Sequence, residues 1–153
     1  GSPERVVGMH FFNPAPLMPL VEIVRAPLTG DDAVETAFEA ATRMGKKPIR
    51  CHDTPGFVVN RVLIPLINDC LRVLDEAQVT PEDMDTAMKA GAGWPMGPCE
   101  LVDLIGIDLH VRASEALYDR LHEPRMAPPP RLVTMRDAGL HGRKTGRGFH
   151  RYD

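Results

Sequence analysis

His10 and Glu22 are the two side chains in this sequence best suited to move a proton as a pair. They stand twelve positions apart, near the facing ends of two short apolar segments joined by the proline-rich stretch 13–19. A carboxylate opposite an imidazole fixes its tautomer and stabilises its protonated form, which is what a general base working near neutral pH requires. The bland alternative is that His10 merely ends a strand and Glu22 sits on a solvated face. Asn60 lies among Val58, Val59, Val62 and Leu63, and its amide could hold a ligand carbonyl; spacing alone favours an exposed helix residue. Asn13, directly before Pro14, reads as a turn residue.

The segment His141-Gly142-Arg143-Lys144-Thr145-Gly146-Arg147-Gly148 is rich in glycine and positive charge, but the Gly-x-x-x-x-Gly-Lys-Ser/Thr phosphate loop is incomplete and no strand–loop–helix context surrounds it. It reads as a solvated turn, with a lysine or arginine reaching toward a coenzyme phosphate as the other reading. Asp83, Asp85, Asp103 and Asp108 lack EF-hand spacing, and the six histidines form no His-Glu-x-x-His pattern, so no metal is expected. Cys51, Cys70 and Cys99 are odd in number and dispersed, which fits reduced thiols in a cytoplasmic setting better than a disulfide framework or zinc site.

The elements that must position these groups can be read from periodicity and turn chemistry. Residues 5–10 form a strand candidate extended by Phe11-Phe12 and stopped at Asn13-Pro14; a second strand covers 20–25. Pro14, Pro16 and Pro19 make the link between them a stiff, irregular loop. Asp31-Asp32 open a helix in which Val34, Phe38, Ala41 and Met44 share a face until Gly45, and 47–51 is a third short strand. After the turn cluster Asp53-Thr54-Pro55-Gly56, a long apolar helix covers 57–76 with a kink expected at Pro65. Thr80 caps a helix that runs from Pro81 to near Gly91; a rigid connector follows over 91–98. Helical spacing resumes over 100–121 with a break at Gly106, three prolines at 128–130 mark a loop, a last helix covers 131–137, and 140–153 is a basic, glycine-rich tail. Trp94 and the eight methionines read as packing residues.

Three strands and one helix are too few to cover a sheet, because a sheet must bury its apolar face against another layer. The expected fold is therefore mostly α: a helical domain over 54–153, preceded over 1–53 by the last strands and one helix of a truncated Rossmann-type α/β domain. Open sheet edges of that kind favour self-association. The 153 residues are 43% hydrophobic and 25% charged, which excludes a wholly disordered chain. Eighteen basic against 21 acidic residues leave a net charge of −3, without the cationic footprint of a nucleic-acid binder. No apolar run reaches the ~18 residues of a membrane span and no signal peptide pattern is present. Neither nucleic acid nor membrane is an expected partner.

The stretch Gly8-Met9-His10-Phe11-Phe12-Asn13-Pro14 resembles the L-3-hydroxyacyl-CoA dehydrogenase family, including its 3-hydroxybutyryl-CoA dehydrogenase members. Leu20-Val21-Glu22-Ile23-Val24, Gly45-Lys46-Lys47-Pro48, Asp53-Thr54-Pro55-Gly56-Phe57-Val58-Val59-Asn60-Arg61, Gly91-Ala92-Gly93-Trp94-Pro95-Met96-Gly97-Pro98 and Lys144-Thr145-Gly146-Arg147-Gly148-Phe149 follow in the family's order. The resemblance implies NAD-dependent oxidation of an (S)-3-hydroxyacyl-CoA to the 3-ketoacyl-CoA in fatty acid metabolism. It implies that His10 is the catalytic base, Glu22 the carboxylate that orients it, Asn60 a substrate contact, and Asn13 and Lys144 cofactor contacts. It also implies an acyl-CoA substrate and a homodimer formed through the helical domain. The family's Gly-x-Gly-x-x-Gly unit is missing, as is its serine ahead of the histidine strand. The expectation is thus a carboxy-terminal fragment with the principal NAD site absent and little activity alone. The alternative is a stand-alone helical module that dimerises or binds acyl-CoA without catalysis.

Overall fold

The computed structural model describes all 153 residues. They form two compact units, Gly1–Asn60 and Arg61–Asp153. In the first unit, strands β1 (Gly8–Phe11), β2 (Leu20–Arg25) and β3 (Lys47–His52) make a mixed sheet beside helix α1 (Asp31–Arg43). β2 is central, antiparallel to β1 and parallel to β3. The expected strand over 5–10 begins only at Gly8, because Pro3–Arg5 turn as a short 3-10 helix.

Alternation along β2 sorts its side chains between two faces. Val21 and Ile23, both fully buried, pack with Val34, Ala37 and Ala41 of α1. Each such burial is worth roughly 1.5–3 kcal/mol. Glu22 falls on the opposite face, and the register puts it directly across from His10. α1 ends where Gly45 takes a positive φ of 74°, its N–H donating to Thr42 O and that of Lys46 to Ala41 O. This reciprocal pair satisfies the last carbonyls of the helix and delivers Lys46 to the start of β3.

Helix α2 (Val59–Glu76) leaves the first unit and continues into the second, which also holds α3 (Pro81–Thr86), α4 (Pro98–Ile105), α5 (Ile107–Leu121) and α6 (Pro130–Asp137). Pro65 lies inside α2. Thr80 caps α3, its hydroxyl accepting from Asp83 N–H at 3.1 Å, and a π turn over Ala87–Gly91 prolongs it. The helical stretch expected over 100–121 is two helices, separated by Gly106 at φ 101°. Ile67, Leu71 and Leu74 of α2 meet Cys99 and Val102 of α4, Ile107 and Val111 of α5, and Leu132 of α6 in the main core.

Two buried polar clusters hold the loops of this unit. Asn68 Oδ1 accepts from His110 Nε2 at 2.8 Å, and its Nδ2 faces Ser114 Oγ and the carbonyls of Arg125, Met126 and Ala127, each at 3.3 Å. The second cluster docks the end of the chain, beyond the segment 143–147, which is exposed in keeping with its reading as a solvated turn. Asp103, 1% exposed, accepts from the N–H groups of Phe149 and His150 and from the Tyr152 hydroxyl at 3.0, 2.9 and 3.0 Å. Asp85 accepts from Cys99 N–H at 2.8 Å and from His150 Nε2 at 2.7 Å. Gly148 sits so close to Asp103 that an added Cβ would lie 1.9 Å from its Oδ1, so only glycine allows this docking. Burial, then the bond to Asp103, pushes the Tyr152 hydroxyl up to about 12.

Burial also holds His110 neutral, lowering its pKa from 6.5 to about 4. An unfolded chain takes up that proton near pH 6.5 while the folded one resists it, so the stabilisation is present above 6.5 and is lost as pH falls toward 4. The loss expected is about 3 kcal/mol. Urea unfolding midpoints should fall more steeply over this window in the native chain than in His110→Gln; parallel slopes would contradict the assignment.

Candidate active site

On the face of the sheet away from α1, His10 Nδ1 lies 2.7 Å from Glu22 Oε2. The Glu22 side chain is 0% exposed and that of His10 31%. Glu22 Oε1 accepts from the N–H groups of Val58 and Val59, at 3.1 and 3.0 Å. The carboxylate therefore meets three donors, two of them backbone amides where α2 begins, a position favoured for negative charge by the helix dipole. Because an ionised carboxylate only accepts, the proton of the His10 pair sits on Nδ1. Nε2 is then the basic nitrogen, and no group of the protein bonds to it.

Backbone geometry after β3 sets up these contacts. Gly56 and Phe57 both have positive φ, 75° and 45°. The first is ordinary for glycine, whereas a bulky residue in that region is a strained exception of the kind that concentrates at functional sites. The turn is closed by Phe57 N–H donating to Thr54 O at 2.9 Å. It brings the Phe57 ring to 5.4 Å from the His10 imidazole, with the Phe12 ring at 4.8 Å, both tilted by 58°. These two rings and the paired amides of Val58 and Val59 are parts of the site that sequence reasoning missed. The cluster Thr54-Pro55-Gly56 signalled a turn, but nothing marks Phe57 as left-handed.

Asn60 is half-buried in the first turn of α2, one residue beyond Val59, and its amide has no hydrogen bond within the protein. Asn13 is exposed at the start of the proline loop, before a cis bond to Pro14. His10, Glu22, Asn13 and Asn60 all belong to the first unit. Lys144 belongs to the second, on a 3-10 turn, where its Nζ lies 2.5 Å from Asp108 Oδ1. Burial raises the Asp108 pKa, but the bonds from Lys144 and the Leu109 amide outweigh it and hold the carboxyl below its usual range.

No three His, Cys, Asp or Glu side chains are close enough together to hold a metal ion. Asn13, three positions along the chain from His10, has a side-chain amide without a partner in the protein. The strand-to-helix turn after β2 is a poor phosphate cradle, because Asp31 and Asp32 occupy the first turn of α1. No helix is long and apolar enough to cross a membrane.

Comparison with known proteins agrees along the whole chain. Residues 1–54 match the family described as 3-hydroxyacyl-CoA dehydrogenase, NAD binding domain, and residues 56–152 its C-terminal domain. A probable 3-hydroxybutyryl-CoA dehydrogenase of Deinococcus radiodurans is 43% identical over 152 residues, 99% of this chain and 55% of the relative. The human mitochondrial hydroxyacyl-coenzyme A dehydrogenase is 41% identical over 154 residues, 97% of this chain and 48% of the relative. The crystal structure of (S)-3-hydroxybutyryl-CoA dehydrogenase PaaH1 from Ralstonia eutropha superposes with a TM-score of 0.93 at 43% identity, covering 98% of this chain and 53% of that one. The chain spans about half the length of the curated relatives it matches.

The hydrogen-bond pattern around Glu22 predicts a tautomer switch. In Glu22→Gln the side-chain oxygen is required by the Val58 and Val59 amides, which turns the new NH2 toward His10 and makes Nδ1 an acceptor. Long-range 1H–15N spectra of the neutral imidazole should report Nδ1–H in the native chain and Nε2–H in the variant. The same tautomer in both would contradict the geometry.

Proposed function

Because the chain belongs to the 3-hydroxyacyl-CoA dehydrogenase family, we propose that it provides the proton-transfer and substrate-facing residues of an NAD-dependent (S)-3-hydroxyacyl-CoA dehydrogenase of fatty acid metabolism. The single observation that carries this reading is the buried Glu22 carboxylate holding His10 with Nε2 free. In this reading β1 to β3 and α1 are the final part of a Rossmann-type NAD-binding domain, and α2 onward is the helical substrate domain, with the division near residue 53.

His10 Nε2 accepts the proton of the substrate's 3-hydroxyl as the hydride leaves the same carbon and the C=O bond forms. NAD, when bound, supplies the hydride acceptor. The imidazolium that results is stabilised by Glu22, whose charge is fixed in place by the amides of Val58 and Val59 at the start of α2. In the reverse direction His10 returns the proton to the ketone oxygen. The unpaired amide of Asn60 holds the substrate near its reacting oxygen, and Asn13 contacts the nicotinamide end of the cofactor. Lys144 is a second cofactor contact, which requires exchange out of its pair with Asp108.

The second unit adds an apolar groove of about 550 Å³ lined by Leu63, Leu66, Trp94, Met96, Leu101 and Leu104. Leu66 and Leu104 are 36% and 50% exposed. This groove supports the homodimer reading, in which the helical unit is the contact between two copies.

The test follows NADH oxidation in the presence of acetoacetyl-CoA. The protein at its full natural length should turn over, and His10→Gln should reduce kcat by about 10²–10⁴. The 153-residue chain alone should give a flat trace. Native turnover by His10→Gln would overturn the assignment of the base.

A further inference from the structure

The loop between β1 and β2 is tied down by one side chain from the turn between α1 and β3. Lys46 Nζ donates to the backbone carbonyls of Ala15 at 2.6 Å, Met18 at 2.9 Å and Pro16 at 3.2 Å. An ammonium has three donors and no acceptor, so the set is complete. No acidic side chain is paired with it. Within the loop, the N–H groups of Leu17 and Met18 both donate to Pro14 O, each at 3.0 Å. The loop thus closes on itself around Pro14 and is fastened from outside by Lys46, and Asn13 is the residue at which it leaves β1.

The chain has reason to need such a fastening. Pro14, Pro16 and Pro19 cannot donate to a strand ladder, and Leu17 is 79% exposed, so the loop has little burial to hold it. A compact cation that can reach three carbonyls at once fixes the loop without requiring a core. Arginine's planar fork does not reproduce three converging bonds from one atom.

We propose that Lys46 is a positioning residue for the cofactor contact: its ammonium fixes the 14–18 loop and thereby the place of Asn13 relative to His10. The proposal rests on the reading of Asn13 given above. Since the three carbonyls belong to exposed residues, losing the tie leaves them to water, and Lys46→Met is expected to fold.

Two readouts test it. Amide hydrogen exchange at Leu17 and Met18 in the 153-residue chain should rise about tenfold in Lys46→Met and stay elevated in Lys46→Arg. In the full-length protein, Lys46→Met should raise KM for NADH several-fold with kcat nearly kept, and Asn13→Ala should do the same, the double variant adding little. Unchanged exchange at Leu17 and Met18 overturns the proposal whatever the kinetics. Faster exchange with an altered KM in Asn13→Ala alone also overturns it, while leaving Asn13 as a cofactor contact. Faster exchange with KM unmoved in both variants removes the Asn13 reading, and the proposal falls with it.

Discussion

The fully buried carboxylate of Glu22 is the constraint on which the first unit depends. A charge taken out of water at the centre of a sheet is costly unless every lone pair facing the protein finds a donor. Here the donors are His10 Nδ1 on one oxygen and the amides of Val58 and Val59 on the other. One side chain therefore joins three things that are separate in sequence: the end of β1, the middle of β2 and the start of α2. Removing it would strip the imidazole of its orienting partner and leave two amides at the start of a helix unpaired.

That joint explains why a bulky residue tolerates a positive φ. For the amides of Val58 and Val59 to point at Glu22, the chain must reverse sharply after β3, and Gly56 with Phe57 accomplishes this in two left-handed residues. The conformational cost of Phe57 is of order 1–3 kcal/mol. It is offset by charge-assisted bonds to a buried carboxylate and by the contact of the ring with His10. The second unit solves similar problems with Asp103 and Asp85, which anchor backbone amides of the carboxy-terminal tail and of α4. In both units a buried acid gathers backbone amides, and Glu22 and Asp85 each hold a histidine as well.

Much of the frame was legible in the sequence. The spacing of His10 and Glu22 across a proline loop put them within reach of one another, while the burial of Glu22 on the face away from α1 is visible only in the structure. The caps at Thr80 and Gly45 follow from side-chain and backbone chemistry that a sequence displays directly. What could not be read were contacts whose partners are main-chain atoms. The amides on Glu22 depend on Phe57 adopting a conformation its type disfavours, and the carbonyls on Lys46 carry no residue-specific signal at all. The docking of Phe149, His150 and Tyr152 carried no local signal, because their acceptors, Asp103 and Asp85, lie more than forty residues upstream. Gly106 showed as an interruption, but only its φ reveals that α4 and α5 are distinct helices.

Glu22 holds a proton on His10 Nδ1 and leaves Nε2 without a partner in the protein. Neutron crystallography at alkaline pD, where an imidazole is neutral, locates that proton directly. Deuterium is expected on His10 Nδ1, with none on Nε2 or on Glu22, and the Val58 and Val59 N–D vectors should converge on Oε1. Deuterium on Nε2 with a bare Nδ1, or on the Glu22 carboxyl, would contradict this arrangement.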